Sequence, residues 1–372
     1  MGGLLWLALP GAIIWAAIVL SPWQPWRTRE RLDATRGGDA VDLSDITILI
    51  PARNEADCLA TTLTAVAQQG RGLRIVLIDD ASDDATVAVA EGAGVANLEI
   101  IRSRPLPDGW SGKTWALQQG LEMVGSDKIL LLDADIQLLP GTLAAMRHKM
   151  QQDDLQLLSL MALLRTRSRW EKLLIPAFVY FFKLLYPFRL ANSCHPLIAA
   201  AAGGCVLLQR RALQDIGGFA AIRDAIIDDC TLARQIKNAG YRTWIGLTRS
   251  AVSLRAYDDP AGIRAMVTRT AFTQLRFSVV LLLLCTLLML GAFVLPLLSL
   301  ALAPQVPAGL GGMALLLMLL SYVPIVHYYR LAPLWVLGLP LAGVLYLAMT
   351  WDSAWRYRRG ISASWKGRDY LR

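Results

Sequence analysis

Apolar runs without a single charge bracket this chain, and between them short apolar stretches alternate with helix-spaced ones. Residues 4–20, 278–302, 308–329 and 331–350 form the uninterrupted runs. Each is near the roughly 17–25 residues that a helix needs to cross a hydrocarbon core. The pattern predicts an N-terminal anchor over 1–26, a folded domain over 40–277, a membrane region of two or three helices over 278–350, and a basic tail over 351–372. The first run lacks a basic leader and a small-x-small cleavage site, so it reads as an uncleaved anchor.

Within the central domain, residues 46–50, 74–78, 98–102 and 128–132 read as strands. Residues 55–69, 84–92 and 113–124 carry helical spacing, with Asn54 as the expected cap of the first and Ser82 or Asp83 of the second. Strands alternating with helices imply a doubly wound, mostly parallel α/β sheet. The second half is less regular. A strand is expected over 155–161, another after Gly203-Gly204, and helices over 228–238 and 261–277. The aromatic segment 170–188, interspersed with Lys172, Lys183 and Arg189, reads as a helix in the membrane interface. A buried core helix is the alternative.

The net charge of +8 gathers at the flanks of the apolar runs. Arg27, Arg29, Arg31 and Arg36 follow the anchor and put the central domain in the cytoplasm by the positive-inside rule. Arg356, Arg358, Arg359, Lys366, Arg368 and Arg372 give the tail the same address. Three crossings would leave the tail outside, so either one run is re-entrant or the rule fails here. Anionic lipid head groups are the expected partners of these basic flanks. No basic stripe with interleaved aromatics appears in the central domain, which excludes a nucleic-acid reading. The five cysteines form no Cys-x-x-Cys pair, against zinc and against a disulfide framework. Membrane runs almost free of charge argue against a transporter.

Candidate chemistry lies in acidic clusters. Asp79-Asp80 and Asp133-Ala134-Asp135 follow expected strands, and ligands of open α/β sheets bind beyond carboxyl strand ends. The Asp-x-Asp pair offers hard oxygen ligands to Mg²⁺ or Mn²⁺, although a solvated turn would also explain it. Asp79 and Asp80 suit a base or ribose contact, or a plain turn. Asp228-Asp229 opens a helix, where the macrodipole alone favours acids; one of the pair can instead serve as a general base. Arg276 is either a snorkelling side chain or a phosphate ligand, and Lys113 is a second candidate phosphate cation. The Gly-rich approach to Lys113 lacks the full nucleotide-hydrolase pattern.

Taken together these motifs resemble family 2 glycosyltransferases of the GT-A fold. Pro51-Ala52-Arg53-Asn54-Glu55 resembles the family's opening nucleotide-binding segment. The run 78–86, with Asp79 and Asp80, is similar to its Val-Asp-Asp-x-Ser-x-Asp-x-Thr. Gly112-Lys113 looks like its Gly-Lys-Ala element, and Asp133-Ala134-Asp135 stands where its metal motif stands. Asp228-Asp229-Cys230-Thr231-Leu232 resembles Glu-Asp-x-x-Leu, which implies that Asp229 is the catalytic base. Gln274-Leu275-Arg276-Phe277 resembles Gln-x-x-Arg-Trp, with Phe277 in place of tryptophan. Residues 104–113, 174–178, 227–230 and 269–276 are similar to a narrower branch, the hopene-associated glycosyltransferases of bacterial hopanoid biosynthesis. Residues 365–370 resemble a tail element of related lipid glycosyltransferases.

The resemblance implies a GT-A domain on the cytoplasmic face of a bacterial inner membrane, in a multi-pass inverting enzyme. A nucleotide-sugar donor, with UDP favoured, is expected over Pro51, Ala52, Arg53, Glu55, Asp79, Asp80, Lys113 and Asp133. A divalent metal, Mg²⁺ or Mn²⁺, is expected on Asp133 and Asp135. Asp229, Asp228, Arg276 and Gln274 are the expected catalytic set. The implied acceptor is a lipid, a hopanoid above others, with association with other hopanoid enzymes in view. A polyprenyl-phosphate or glycerolipid sugar transferase is the alternative, and a silent nucleotide-sugar-binding scaffold the second.

Overall fold

The computed structural model describes residues 5–34, 41–303, 305–361, 364–365 and 368–369. The chain divides into two compact units. One comprises Glu30–Arg165, Leu190–Ala256 and Ser364–Arg372; the other comprises Met1–Arg29, Thr166–Arg189 and Tyr257–Ala363.

The first unit is built on eight strands: β1 (Ile46–Ala52), β2 (Arg74–Asp79), β3 (Leu98–Arg102), β4 (Lys128–Leu132), β5 (Ile136–Leu138), β6 (Leu157–Leu163), β7 (Cys205–Gln209) and β8 (Thr243–Ser253). Their order in the sheet is β3-β2-β1-β4-β7-β6-β8-β5. β1, β2, β3 and β4 pair in parallel. β7 runs antiparallel to β4 and β6, and β6 pairs in parallel with β8. The expected doubly wound core is therefore present, extended by a mixed half.

Continuous apolar runs make these strands because both faces are covered. Ile48, Ile50, Ile75, Leu77, Leu130, Leu132 and Leu207 join a core with Leu59, Leu63 and Met146 from helices Ala56–Ala67 and Thr142–Gln152. The intervening Leu49, Val76, Ile78, Ile129, Leu131, Val206 and Leu208 pack the other face. Helices Gly112–Glu122 and Asp228–Asn238 cover it with Leu117, Ala233 and Ile236. β1 winds one way to β2 and the other way to β4, so the winding switches beside β1.

Several expectations are corrected. Asn54 caps no helix: Glu55 is the N-cap of Ala56–Ala67, and the Asp84 carboxylate accepts from the Ala56 amide. Helix Thr86–Gly92 starts after Ala85, with Asp84 accepting from Thr86 N, so Ser82 and Asp83 do not cap it. Residues 30–34 already belong to the α/β unit, ten residues before the expected boundary at 40. Leu32 N donates to Leu247 O, and Leu247 N to Glu30 O. β8 has no counterpart among the expected strands, because its four hydroxyl residues and Gly246 break the apolar alternation.

The second unit holds three helices long and apolar enough to cross a membrane: Val279–Leu302, Gln305–Tyr328 and Pro333–Arg358. Leu5–Leu20 has 16 residues, about 24 Å at 1.5 Å per residue, which is shorter than a ~30 Å hydrocarbon core. Helices Arg169–Leu185 and Pro260–Gln274, expected within 40–277, cluster with these apolar helices instead. Tyr180 bonds Ser321 at 2.6 Å and Tyr346 donates to Leu174 O at 2.9 Å, so the first of them is fastened by one buried face. Of the tail, Ser364–Trp365 pairs with Arg368–Asp369; Lys366, Gly367 and Tyr370 lie outside the described residues.

Close helix contacts in this unit rest on small residues, as membrane packing favours. A Cβ on Gly11 would stand 2.4 Å from Pro296, and one on Gly343 would stand 2.5 Å from Phe293. Pro296 has no N–H for the Ala292 carbonyl, and residues Leu290–Val294 widen into a π-turn just before it. The Trp15 indole donates to that carbonyl at 2.8 Å, and Trp15 is fully buried. Trp15→Phe keeps the packing and removes the donor. We expect a loss of about 1–2 kcal/mol, read as a lower thermal midpoint of the protein in detergent; an unchanged midpoint would show that the carbonyl finds another donor.

Candidate active site at the strand ends

β1, β2 and β4 run in parallel, so the residues that follow them emerge on one edge of the sheet. β7 runs the other way, so the residues that precede it, Gly203 and Gly204, emerge on that same edge. Asp133 N donates to Gly204 O at 3.0 Å, which locks the Asp-x-Asp turn to the β7 approach.

After β1 the chain is braced, not open. Pro51 and Ala52 are buried. The Arg53 guanidinium donates to the carbonyls of Asp80 and Ala81 and lies 3.7 Å from the Asp83 carboxylate. Asn54 accepts from Asp83 N at 2.8 Å and donates its own amide to Ser82 at 3.0 Å. Asn54 and Ala81 both take left-handed φ, at 52° each. Glu55 N donates to the Thr86 hydroxyl. These bonds hold the loops after β1 and β2 together and bury Asp79 and Asp80, at 4% and 0% exposure. The same bonds make Arg53 a brace of the loop.

After β4, Asp133 meets Lys113 at 2.6 Å, and the same ammonium lies 3.8 Å from Asp228. Ser111 caps the helix that carries Lys113 and accepts from Thr114 N. Ser111 N in turn donates to Arg223 O at 2.7 Å, which ties this helix start to the approach of Asp228. Asp229 Oδ2 accepts from Gly203 N at 2.8 Å, and its Oδ1 accepts from Cys230 N at 2.7 Å. Asp135 points to another partner set. Its Oδ2 accepts from the Ser253 hydroxyl at 3.1 Å and from Arg255 Nε at 3.2 Å. Arg255 Nη2 reaches Glu55 Oε1 at 3.0 Å.

Five carboxylates thus share two cations. Burial opposes the charge of Lys113, but Asp133 and Asp228 outweigh it and raise its pKa above the ordinary lysine value. Burial raises Asp133, with Lys113 opposing and Asp135 adding. Burial, and next the Asp228 carboxylate, push Asp229 up to about 6, against the amide bonds from Cys230 and Gly203. Among the described residues the cluster is rich in carboxylates. Its donors are hard carboxylate oxygens, which fit Mg²⁺ or Mn²⁺. Among the described residues no three His, Cys, Asp or Glu side chains converge on one point. Asp133 and Asp135 instead hold separate organic cations, Lys113 and Arg255.

The structure brings Glu55, Lys113, Asp133, Asp135, Asp228 and Asp229 to one edge of the α/β unit. Gln274 and Arg276 belong to the helical unit. Gln274 accepts from the Tyr186 hydroxyl at 2.9 Å. Arg276 and Phe277 both take left-handed φ, 52° and 55°, and Phe277 stacks on Tyr357 at 4.5 Å. The sequence reading missed Gly203, Ser253 and Arg255. Gly203 was visible only as a glycine before a strand, and Arg255 follows a strand that the pattern did not reveal.

Residues 47–217 match Glycosyl transferase family 2, so a domain of that family occupies this part of the chain. The chain is 32% identical over 108 residues to 4,4'-diaponeurosporenoate glycosyltransferase of Staphylococcus haemolyticus (strain JCSC1435), covering 28% of each chain. It is 33% identical over 92 residues to the protein of that name from Staphylococcus aureus (strain MRSA252), covering 24% of each. The chain thus spans only about a quarter of the length of these relatives. Among solved structures it is similar to the mannosyltransferase PcManGT from Pyrobaculum calidifontis in complex with GDP-Man and Mn²⁺. The TM-score is 0.59 at 18% identity, over 94% of this chain and 99% of that one. The shared fold is GT-A.

Gly203 offers a test of the Asp229 arrangement. A Cβ there would stand 3.3 Å from Asp229 Oδ2 and 3.4 Å from Lys113 Nζ. Gly203→Ala must move the carboxylate by a few tenths of an ångström. The weakened bond from Gly203 N is expected to lower the thermal midpoint of the protein in detergent by an amount equal to about 1 kcal/mol; an unchanged midpoint would show that the carboxylate moves without cost.

Proposed function

We propose that this chain is a membrane-bound inverting glycosyltransferase that moves a sugar from a nucleotide-sugar donor to a hydroxyl of a lipid, a hopanoid above others. The family 2 domain over 47–217 supports the reaction class. The apolar helices support a lipid-soluble acceptor, as does the similarity to proteins named for 4,4'-diaponeurosporenoate. The observation that carries the reading is Asp229. It is a carboxylate held by two amides beside Lys113, with its pKa raised to about 6.

In this reading Asp80 and Glu55 hold the nucleoside, with Pro51, Ala52, Arg53 and Asp79 completing that subsite. Asp133 and Asp135 hold a divalent metal, which when bound neutralises charge on the donor diphosphate. Asp229 takes the proton from the acceptor hydroxyl. The acceptor oxygen attacks the anomeric carbon from the face opposite the diphosphate. The bond from that carbon to the diphosphate oxygen breaks, and its electron pair leaves with the diphosphate. Lys113 stabilises that developing charge, which is where fixed cations contribute most to rate. Asp228 keeps Lys113 in place, and Arg276 and Gln274 serve the donor diphosphate and the acceptor. A single displacement inverts the anomeric configuration. The catalytic domain works on the cytoplasmic side of the bacterial inner membrane.

The test is transfer of labelled sugar by the purified chain in lipid. UDP- and GDP-sugars are offered with Mn²⁺ or Mg²⁺ and with hopanoid or polyprenyl-phosphate acceptors. Label is expected in the hopanoid, and lost by at least about a hundredfold in Asp229→Asn, as for removal of a general base. Label in polyprenyl phosphate would replace the acceptor. Nucleotide-sugar binding without transfer to any acceptor would favour a scaffold.

The base must be deprotonated to act, so protonation of Asp229 stops transfer. The rate is expected to fall about tenfold per pH unit below about 6 and to level off above it. A pH–rate profile with no acid limb between pH 5 and 7 would remove Asp229 from the role of base.

A further inference from the structure

Each carboxylate of the Asp-x-Asp pair already holds an organic cation, and the two pairs differ. Asp133 keeps 34% of its side chain exposed beside Lys113. Asp135 and Glu55 keep only 11% and 10%, and both pair with Arg255. One guanidinium spans them, Nε to Asp135 and Nη2 to Glu55. Carboxylates so far removed from water are costly without a counter-charge. Arg255 itself is 38% exposed. A cation arriving at Asp135 can replace the guanidinium there, and a phosphate is a strong bidentate partner for the guanidinium.

We infer that Arg255 is a resident counter-cation that competes with the divalent metal for Asp135 and makes metal uptake conditional on the nucleoside diphosphate. The inference rests on the reading of Asp133 and Asp135 as metal ligands. Without nucleotide, the guanidinium occupies the Asp135 oxygen that a metal needs. A bound diphosphate draws the guanidinium away and opens that oxygen. The two ligands then favour each other's binding, and this coupling is reciprocal. Arg255 is thus a positioning residue, acting on the metal through Asp135 and Glu55.

The experiment measures Mn²⁺ binding to the full-length protein in detergent, from the electron paramagnetic resonance signal of free Mn²⁺, with and without UDP or GDP. Wild type is expected to bind Mn²⁺ weakly alone and more tightly with the nucleotide. Arg255→Gln is expected to bind Mn²⁺ alone about tenfold more tightly, with the nucleotide's enhancement reduced by the same factor. If that variant does not fold, Arg255→Lys serves: an ammonium lacks the planar fork of the guanidinium, so Mn²⁺ affinity rises severalfold. Unchanged Mn²⁺ affinity and unchanged enhancement in a folded variant would overturn the inference. So would a lack of Mn²⁺ uptake by wild type and variant alike. Absence of sugar transfer by the wild type, with the Mn²⁺ shift intact in Arg255→Gln, would instead sink the transferase reading and leave Arg255 in its role.

Discussion

Lys113 sits between Asp133 and Asp228, and the strand-end cluster depends on that ammonium. Without it, carboxylates from the end of β4 and from the start of helix Asp228–Asn238 would repel each other in partly dehydrated positions. Its place is secured from three directions: the Ser111 cap sets the start of its helix, the Arg223 carbonyl receives Ser111 N, and Gly203 leaves room for its Nζ. Burial, and after it the neighbouring carboxylates, raise Asp229, and burial raises Asp133 against the pull of Lys113.

That cluster exists because of topology. Parallel β1, β2 and β4 deliver the ends of three strands to one edge, and reversed β7 delivers two glycines to the same edge. The sheet is buried on both faces, so its polar groups gather where the strands stop. The helical unit solves a different problem with different means. Its contacts are made by glycines that let helices approach closely and by a tryptophan that satisfies the carbonyl a proline leaves unbonded.

Much of this was legible from local pattern. β3 and β4 and helix Asp228–Asn238 lie where apolar periodicity and an acidic start put them. Elements whose residues obey no single period were not. β8 mixes hydroxyls with apolar residues; β6 pairs with its residues 243–247 and again at Val252, and β5 with residues 251–253. Asn54 has the composition of a cap, yet it bonds the loop after β2, since a side chain so short takes whichever amide the fold brings near.

The sequence by itself determined the apolar runs and the strand-end carboxylates, because the period of a short segment is a local property; Asp229 as a candidate base came from resemblance to a family motif. Only the tertiary structure decided which cation each acid holds. Lys113 lies 20 residues from Asp133 along the chain, and Arg255 lies 200 residues from Glu55. Ion pairing falls with distance in space, and distance in space is set by strand order, which no segment of sequence states alone.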